Sequence, residues 1–302
     1  MSQKPQIILV TGFLGSGKTT LINRLIKQYR SKKLGLIIND FGQIAVDGIL
    51  LRQWVDKTKS NDSEIYEIAN GSIFCTCLSA ELVKSLKHFA EIEPDVLLIE
   101  TSGLSDPSTF AKILSDNNLD QVYELKASIG IVDAVKSLKL ASKIVAIEKQ
   151  ITSSNIILIN KTDLVTNEAL NEGAQFVRQL NPTALIIKTT YAQMDFSLLN
   201  FRRDTAVDEK AVSCNTVKSR PGSVILPQKE ISQSALEEYF QNIKDKIFRI
   251  KGFLKIGDED YYISDNNGQL QIEKSEQPVE QYGLSVLVPQ DQIPIISKYW
   301  TK

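Results

Sequence analysis

The chain has 302 residues, a formal net charge of -1, one histidine and three cysteines. With 42% hydrophobic and 24% charged residues it is balanced like a globular chain, long enough for one large core or two ordinary ones. That balance argues against nucleic acid or an anionic membrane as the main partner, and three cysteines do not make a disulfide framework. No apolar run approaches the roughly 18 residues of a membrane helix. Met1 to Pro5 lead straight into the first apolar run, so no signal peptide is expected and the cytoplasm is the expected compartment.

Ile7 to Val10 reads as a buried parallel strand, and Leu21, Ile22, Leu25 and Ile26 lie at helical spacing in a helix that begins near Lys18. Between them Gly12 to Thr19 spells G-x-x-x-x-G-K-T, a phosphate-binding loop in the strand-before, helix-after context that the motif requires. Gly12, Gly15 and Gly17 let the backbone curl, and Ser16 and Thr20 complete the loop and the first helical turn. The helix N-terminus favours phosphate, Lys18 is expected to reach the β- and γ-phosphates, and the Thr19 hydroxyl is expected to face Mg²⁺.

Leu34 to Ile38 is a second apolar strand, ending at Asn39, Asp40 and Gly42. Ligands in open α/β sheets bind beyond the carboxyl ends of strands, so Asp40 reads either as a Mg²⁺ ligand or as a turn residue. Residues 54–63 read as a polar loop, Glu64 to Ile68 as a strand, and Ser79 to Ile92 as a helix with Leu82, Leu86 and Phe89 on one face. Ahead of that helix stand Cys75 and Cys77, which read as small packing residues, as transient transition-metal ligands, or as a redox pair. His88 reads as a helix-surface residue rather than a ligand.

Val96 to Ile99 is a buried strand ending in Glu100 and Gly103. A carboxylate there suits Mg²⁺ or its waters, Gly103 can bring an N–H to a γ-phosphate, and Leu104 to Pro107 would respond to loss of that phosphate. Ala127 to Asp133 is another strand and Ile144 to Ile151 a helix. Asn155 to Ile159 runs into N-K-T-D. Asp163 can accept from guanine N1–H and the N2 amino group together, a pair adenine lacks; Asn160 can orient the loop and contact the purine, and the Lys161 stem can lie on the ring. After a strand over Ala184 to Lys188, the backbone of Thr189 to Ala192 is expected to complete the base pocket.

This alternation predicts an α/β P-loop nucleotide-binding domain over 1–201, with a mostly parallel sheet and helices on both faces. Residues 202–222 read as a linker and 223–302 as a smaller α+β domain. In the latter Ser223 to Leu226 is a strand, Ser232 caps a helix carrying Leu236, Tyr239, Phe240 and Ile243, Ile247 to Ile256 and Asp260 to Ile263 form a hairpin, Gly283 to Val288 is a strand, and Ile293 to Trp300 a helix.

Thr11 to Asn23, I-N-D-F-G (Ile38 to Gly42), E-T-S-G-L-S-D-P (Glu100 to Pro107) and N-K-T-D (Asn160 to Asp163) together resemble the CobW-type P-loop GTPases, relatives of the nickel-insertion GTPases of urease and hydrogenase maturation. Lys246 to Ile256, with R-I-K-G-F-L, resembles the start of that family's C-terminal domain. The resemblance implies a GTP- and Mg²⁺-dependent switch, with Lys18, Thr19 and Glu100 at its catalytic centre. It would assist delivery of a metal or corrinoid cofactor to a client metalloenzyme, possible homodimerisation included, with Zn²⁺ or Co²⁺ as the metal. A nucleotide-gated Zn²⁺ or Co²⁺ carrier using Cys75 and Cys77, and a regulatory module that binds a partner in its GTP state, are the alternatives. Two departures stand out. The family's C-x-C-C motif is reduced: after Asn70-Gly71, Ser72 and Phe74 replace two cysteines, leaving Cys75 and adding Cys77. Gln43 stands where the family often has glutamate, and no His-rich tail follows.

Overall fold

The computed structural model describes residues 4–39, 64–68, 79–141, 144–200, 222–266, 268–275, 278–279 and 281–300. They fall into two compact units, one holding the described residues up to 200 and the other those from 222. The loop expected at 54–63 lies outside the described residues.

The first unit runs β1 (Gln6–Gly12), α1 (Lys18–Gln28), β2 (Leu34–Asn39), β3 (Glu64–Ile68), α2 (Ser79–Ile92), β4 (Val96–Glu100), α3 (Phe110–Asp116), β5 (Glu124–Asp133), α4 (Ser137–Leu140), α5 (Val145–Thr152), β6 (Ile156–Asn160), α6 (Asn167–Leu180) and β7 (Leu185–Lys188). The strands form one seven-stranded sheet in the order β3-β2-β4-β1-β5-β6-β7, with every neighbouring pair parallel. The period-two geometry of a strand divides its side chains between two cores. Ile8 and Val10 pack with Leu21, Ile22, Leu25 and Ile26 of α1 on one face. Ile7 and Leu9 pack with Leu82, Leu86 and Phe89 of α2 and Phe110 and Leu114 of α3 on the other. That double burial is why the strands read as continuous apolar runs. Tyr123 joins the second core; its hydroxyl donates to the Leu86 carbonyl at 2.7 Å, and burial pushes its pKa up.

The chain leaves β1 toward β2 on one side and later supplies β5 on the other side of β1. The carboxyl end of β1 is thus the switch point of the sheet, the position at which open α/β sheets bind their ligands.

The second unit contains β8 (Gly222–Leu226), α7 (Gln233–Ile243), β9 (Arg249–Ile256), β10 (Glu259–Asn266), β11 (Gln269–Lys274), β12 (Gly283–Val288) and α8 (Ile293–Trp300). Its five strands are antiparallel in the order β11-β10-β9-β12-β8. Ser232 caps α7, its hydroxyl accepting from Ala235 N–H at 3.2 Å. Leu236, Tyr239, Phe240 and Ile243 of α7 and Ile296 and Trp300 of α8 bury one face of the sheet.

The structure differs from the sequence reading in detail. β5 starts at Glu124 rather than near 127, because its first residues, only partly buried, pair with the start of β1. β11 is an added strand: Q-L-Q-I-E-K is polar on alternate positions, and as an edge strand it buries one face only.

Candidate functional site

The predicted phosphate loop connects β1 to α1. Gly12 ends the strand and Gly15 is exposed at the tip. Gly17 is the N-cap of α1 at φ 113°, and a Cβ on it would lie 2.5 Å from Asn160 Nδ2. Only glycine fits there, both for its backbone conformation and for the close approach of the β6 end. Lys18 opens α1, is 7% exposed, and donates from Nζ to the Phe13 carbonyl at 3.2 Å. Ser16 Oγ is buried and has no hydrogen-bond partner among the described residues. Thr20 is exposed on the helix.

β4 lies beside β1 and carries Glu100 at its end, 3% exposed. The Thr19 hydroxyl donates to Glu100 Oε1 at 3.1 Å. The first helical turn and the strand-end carboxylate, far apart in sequence, therefore meet. Gly103 follows against the loop; a Cβ on it would lie 2.7 Å from the Leu14 backbone nitrogen. Residues 101–107 are all buried and are tied down on several sides. Thr101 Oγ1 donates to Thr11 Oγ1 at 3.1 Å. Asn39 Oδ1, at the end of β2, accepts from Ser102 N–H at 3.2 Å and from Ser105 Oγ at 3.4 Å. Gln150 of α5 donates to the carbonyls of Gly103 and Ser105 at 3.2 and 3.0 Å.

The N-K-T-D segment leaves β6. Asn160 spans two loops: Nδ2 donates to the Ser16 carbonyl at 2.8 Å, and Oδ1 accepts from Ala192 N–H at 2.9 Å. The carboxamide predicted to orient its loop thus joins the phosphate loop to residues 189–192. Lys161 follows at φ 63°, with Nζ 2.8 Å from Asp133 Oδ2. Asp163 is exposed in the short 3-10 turn Thr162–Leu164. Thr162 N–H donates to the Thr189 carbonyl at 3.2 Å. Tyr191 and Ala192 are both left-handed, at φ 51° and 52°, and Arg24 of α1 donates from Nε to the Tyr191 carbonyl at 2.9 Å.

The comparisons with known proteins fall on the same elements. Residues 6–188 match the model of the CobW/HypB/UreG nucleotide-binding domain. The chain belongs to the CobW/HypB/UreG family. It is 30% identical over 275 residues to a zinc chaperone, YjiA, of Escherichia coli (strain K12), covering 84% of this chain and 82% of that one. It is 29% identical over 219 residues to a zinc-regulated GTPase metalloprotein activator 1 of Dictyostelium discoideum, covering 62% of this chain and 46% of the relative. A zinc chaperone CobW of Sinorhizobium sp is 34% identical over 186 residues, with 54% of this chain and 52% of that protein covered. The chain thus spans about half the length of two of these three relatives. Among solved structures, Zn(II)-bound YjiA GTPase from E. coli aligns over 99% of both chains at 21% identity with a TM-score of 0.49.

In this CobW/HypB/UreG chain the donor set fits a nucleotide with its Mg²⁺. Among the described residues the buried Ser16 hydroxyl lacks a partner, and a hydroxyl and a carboxylate stand together at Thr19 and Glu100. Hard oxygen donors of that kind are what Mg²⁺ takes. Asp40, Gln43, Cys75 and Cys77 lie outside the described residues. Among the described residues no cluster of three or more His, Cys, Asp or Glu is placed to hold a metal. His88 is half-buried on α2, its ring centroid 6.1 Å from that of Tyr66. No helix among the described residues is long and apolar enough to cross a membrane.

Sequence reasoning passed over Asn39, Ser102, Ser105, Asp133, Gln150 and Arg24. For Asp133 a signal existed: like Glu100 and Asn160, it is the polar residue that ends an apolar strand. Gln150 sits inside a helix with no motif around it, and only the packing of α5 brings it to the site.

Proposed function

We propose that this chain binds GTP with Mg²⁺, hydrolyses it to GDP and phosphate, and uses that cycle to assist delivery of a metal or metal-containing cofactor to a client metalloprotein. The observation that carries the reading is the convergence of three sequence-distant features at the carboxyl ends of β1, β4 and β6. These are the phosphate loop, the Thr19–Glu100 pair, and Asn160 bridging the loop to the segment beside Asp163.

Each residue has a role in this reading. The N–H groups of Gly15 to Thr20 and the Ser16 hydroxyl hold phosphate oxygens. Lys18 exchanges the Phe13 carbonyl for the β- and γ-phosphates. Thr19 and Glu100 would hold Mg²⁺, which when bound would neutralise charge on the phosphate oxygens. Asp163 accepts from guanine N1–H and the N2 amino group, and Lys161 lies on the ring face. Water attacks the γ-phosphorus, the bond to the β–γ bridging oxygen breaks, and Lys18 and the loop amides stabilise the charge that develops. Intrinsic turnover is expected to be slow until a partner or a second copy supplies further charge stabilisation in the transition state.

Relatives named zinc chaperones favour Zn²⁺ as the cargo. Cys75 and Cys77 supply two soft thiolates for it, fewer than the four ligands of a closed zinc site, which suits transfer rather than storage. The test is a Co²⁺ titration with GTP-Mg, with GDP-Mg and without nucleotide, read by thiolate-to-cobalt charge-transfer absorption. A signal that depends on the nucleotide and vanishes in the Cys75→Ser, Cys77→Ser double variant supports a gated carrier. Absence of signal in every state removes the cargo role and leaves a GTPase that works on its client by conformation.

A further inference from the structure

Asp133 is the last residue of β5, and its side chain is 1% exposed. A carboxylate so deeply buried is costly unless every part of it is used. One oxygen has a local task. Oδ1 accepts from the N–H groups of Val135 and Lys136 at 2.7 and 3.0 Å and shapes the turn that leaves the strand. Asp133 N–H donates to Ser137 Oγ at 3.1 Å, closing the same turn. An asparagine carboxamide oxygen would serve that turn equally well. The negative charge is used by the other oxygen: Oδ2 lies 2.8 Å from Lys161 Nζ.

The location gives that pair its meaning. β5 stands between β1, which delivers the phosphate loop, and β6, which delivers N-K-T-D. Asp133 and Asn160 are register partners, and Ala134 N–H donates to the Asn160 carbonyl at 3.0 Å. The ammonium of Lys161 is therefore drawn from the end of β6 back toward the strand beside the phosphate loop. The rest of the side chain is a flexible four-carbon stem, which without an anchor would sample many rotamers.

We propose that Asp133 is a positioning residue for guanine-nucleotide recognition: it anchors the Lys161 ammonium so that the stem forms a preset wall of the base site. The inference rests on the guanine-nucleotide reading above. The carboxylate does not touch the nucleotide. It removes the ordering cost that Lys161 would otherwise bear when the base arrives.

The test uses the full chain and the fluorescent nucleotide mant-GDP with Mg²⁺. Asp133→Asn keeps the acceptor for the turn and discards the charge. It is expected to raise the mant-GDP Kd about tenfold and the KM for GTP in step, with kcat at saturating GTP within about twofold of wild type. Lys161→Met is expected to raise Kd by a similar factor, whereas Lys161→Arg, which keeps a cation for Asp133, stays within about threefold. The Asp133→Asn, Lys161→Met double variant should bind no more weakly than either single one, since the two residues act as one unit. An Asp133→Asn chain with unchanged Kd, or one that melts well below wild type, assigns the carboxylate to the turn alone and overturns the proposal. Additive losses in the double variant overturn it as well. A wild-type chain that does not bind mant-GDP overturns both this inference and the reading beneath it.

Discussion

The two units handle buried polar groups in opposite ways. In the second, among the described residues, the buried polar side chains are Lys251 and Ser285; the α7–α8 side of its sheet is closed by leucine, isoleucine, valine and aromatic residues. In the first, Thr11, Ser16, Lys18, Asn39, Glu100, Thr101, Ser102, Ser105, Asp133 and Asn160 are all buried, and all lie at or just beyond the carboxyl ends of strands. Burying polar groups costs stability unless each is bonded, so an apolar lid there would serve the fold better. A parallel sheet brings every strand's carboxyl end to one edge, and that edge is where this chain concentrates its hydrogen-bonding chemistry. The lesson is that burial alone does not distinguish core from site; the chemistry of what is buried does.

That contrast can be pressed with substitutions in each unit. The largest stability effect is expected in the apolar core of the second: Phe240→Ala, at a position with no exposure, should cost about 3–5 kcal/mol in urea unfolding. Guanine-nucleotide affinity of the molecules that remain folded should be unchanged. Lys18→Ala should do the converse, lowering kcat for GTP hydrolysis by about a hundredfold or more, as loss of a transition-state donor does. Lys18 reaches a carbonyl of its own loop rather than filling an apolar core, so unfolding should shift far less than for Phe240→Ala. Gln150→Ala should fall between these, releasing the carbonyls of Gly103 and Ser105 at about 1–3 kcal/mol in stability. The smallest effect is expected at the α7 cap, where Ser232→Ala should cost about 1 kcal/mol by thermal or urea unfolding and leave hydrolysis untouched.

Much of this was legible in the sequence, for local reasons. The apolar runs of β1, β2, β4 and β6 read as strands because both faces of the sheet are covered, and the phosphate loop and N-K-T-D are contiguous motifs. Glu100 could be placed because it ends a strand downstream of that loop. The role of Asn39 and the pairing of Asp133 with Lys161 were not legible, because each depends on which strand lies beside which, and the role of Gln150 depends on the packing of α5. The order β2-β4-β1-β5-β6 is set by crossovers that no local pattern records. Arg24 is similar: it lies on α1, and its partner is the Tyr191 carbonyl, far along the chain. Strand β11 was missed for a different reason, since a one-sided edge strand of glutamine, glutamate and lysine carries little apolar signal.

In this reading the polar strand ends of the first unit form a guanine-nucleotide site. The deciding measurement is a titration of the wild-type chain with mant-GDP and mant-ADP in the presence of Mg²⁺. Saturable binding of the guanine nucleotide is expected, preferred over the adenine one by about a hundredfold or more, because Asp163 can accept from N1–H and the N2 amino group together, a pair adenine lacks. Equal affinity for the two nucleotides, or binding of neither, would contradict it.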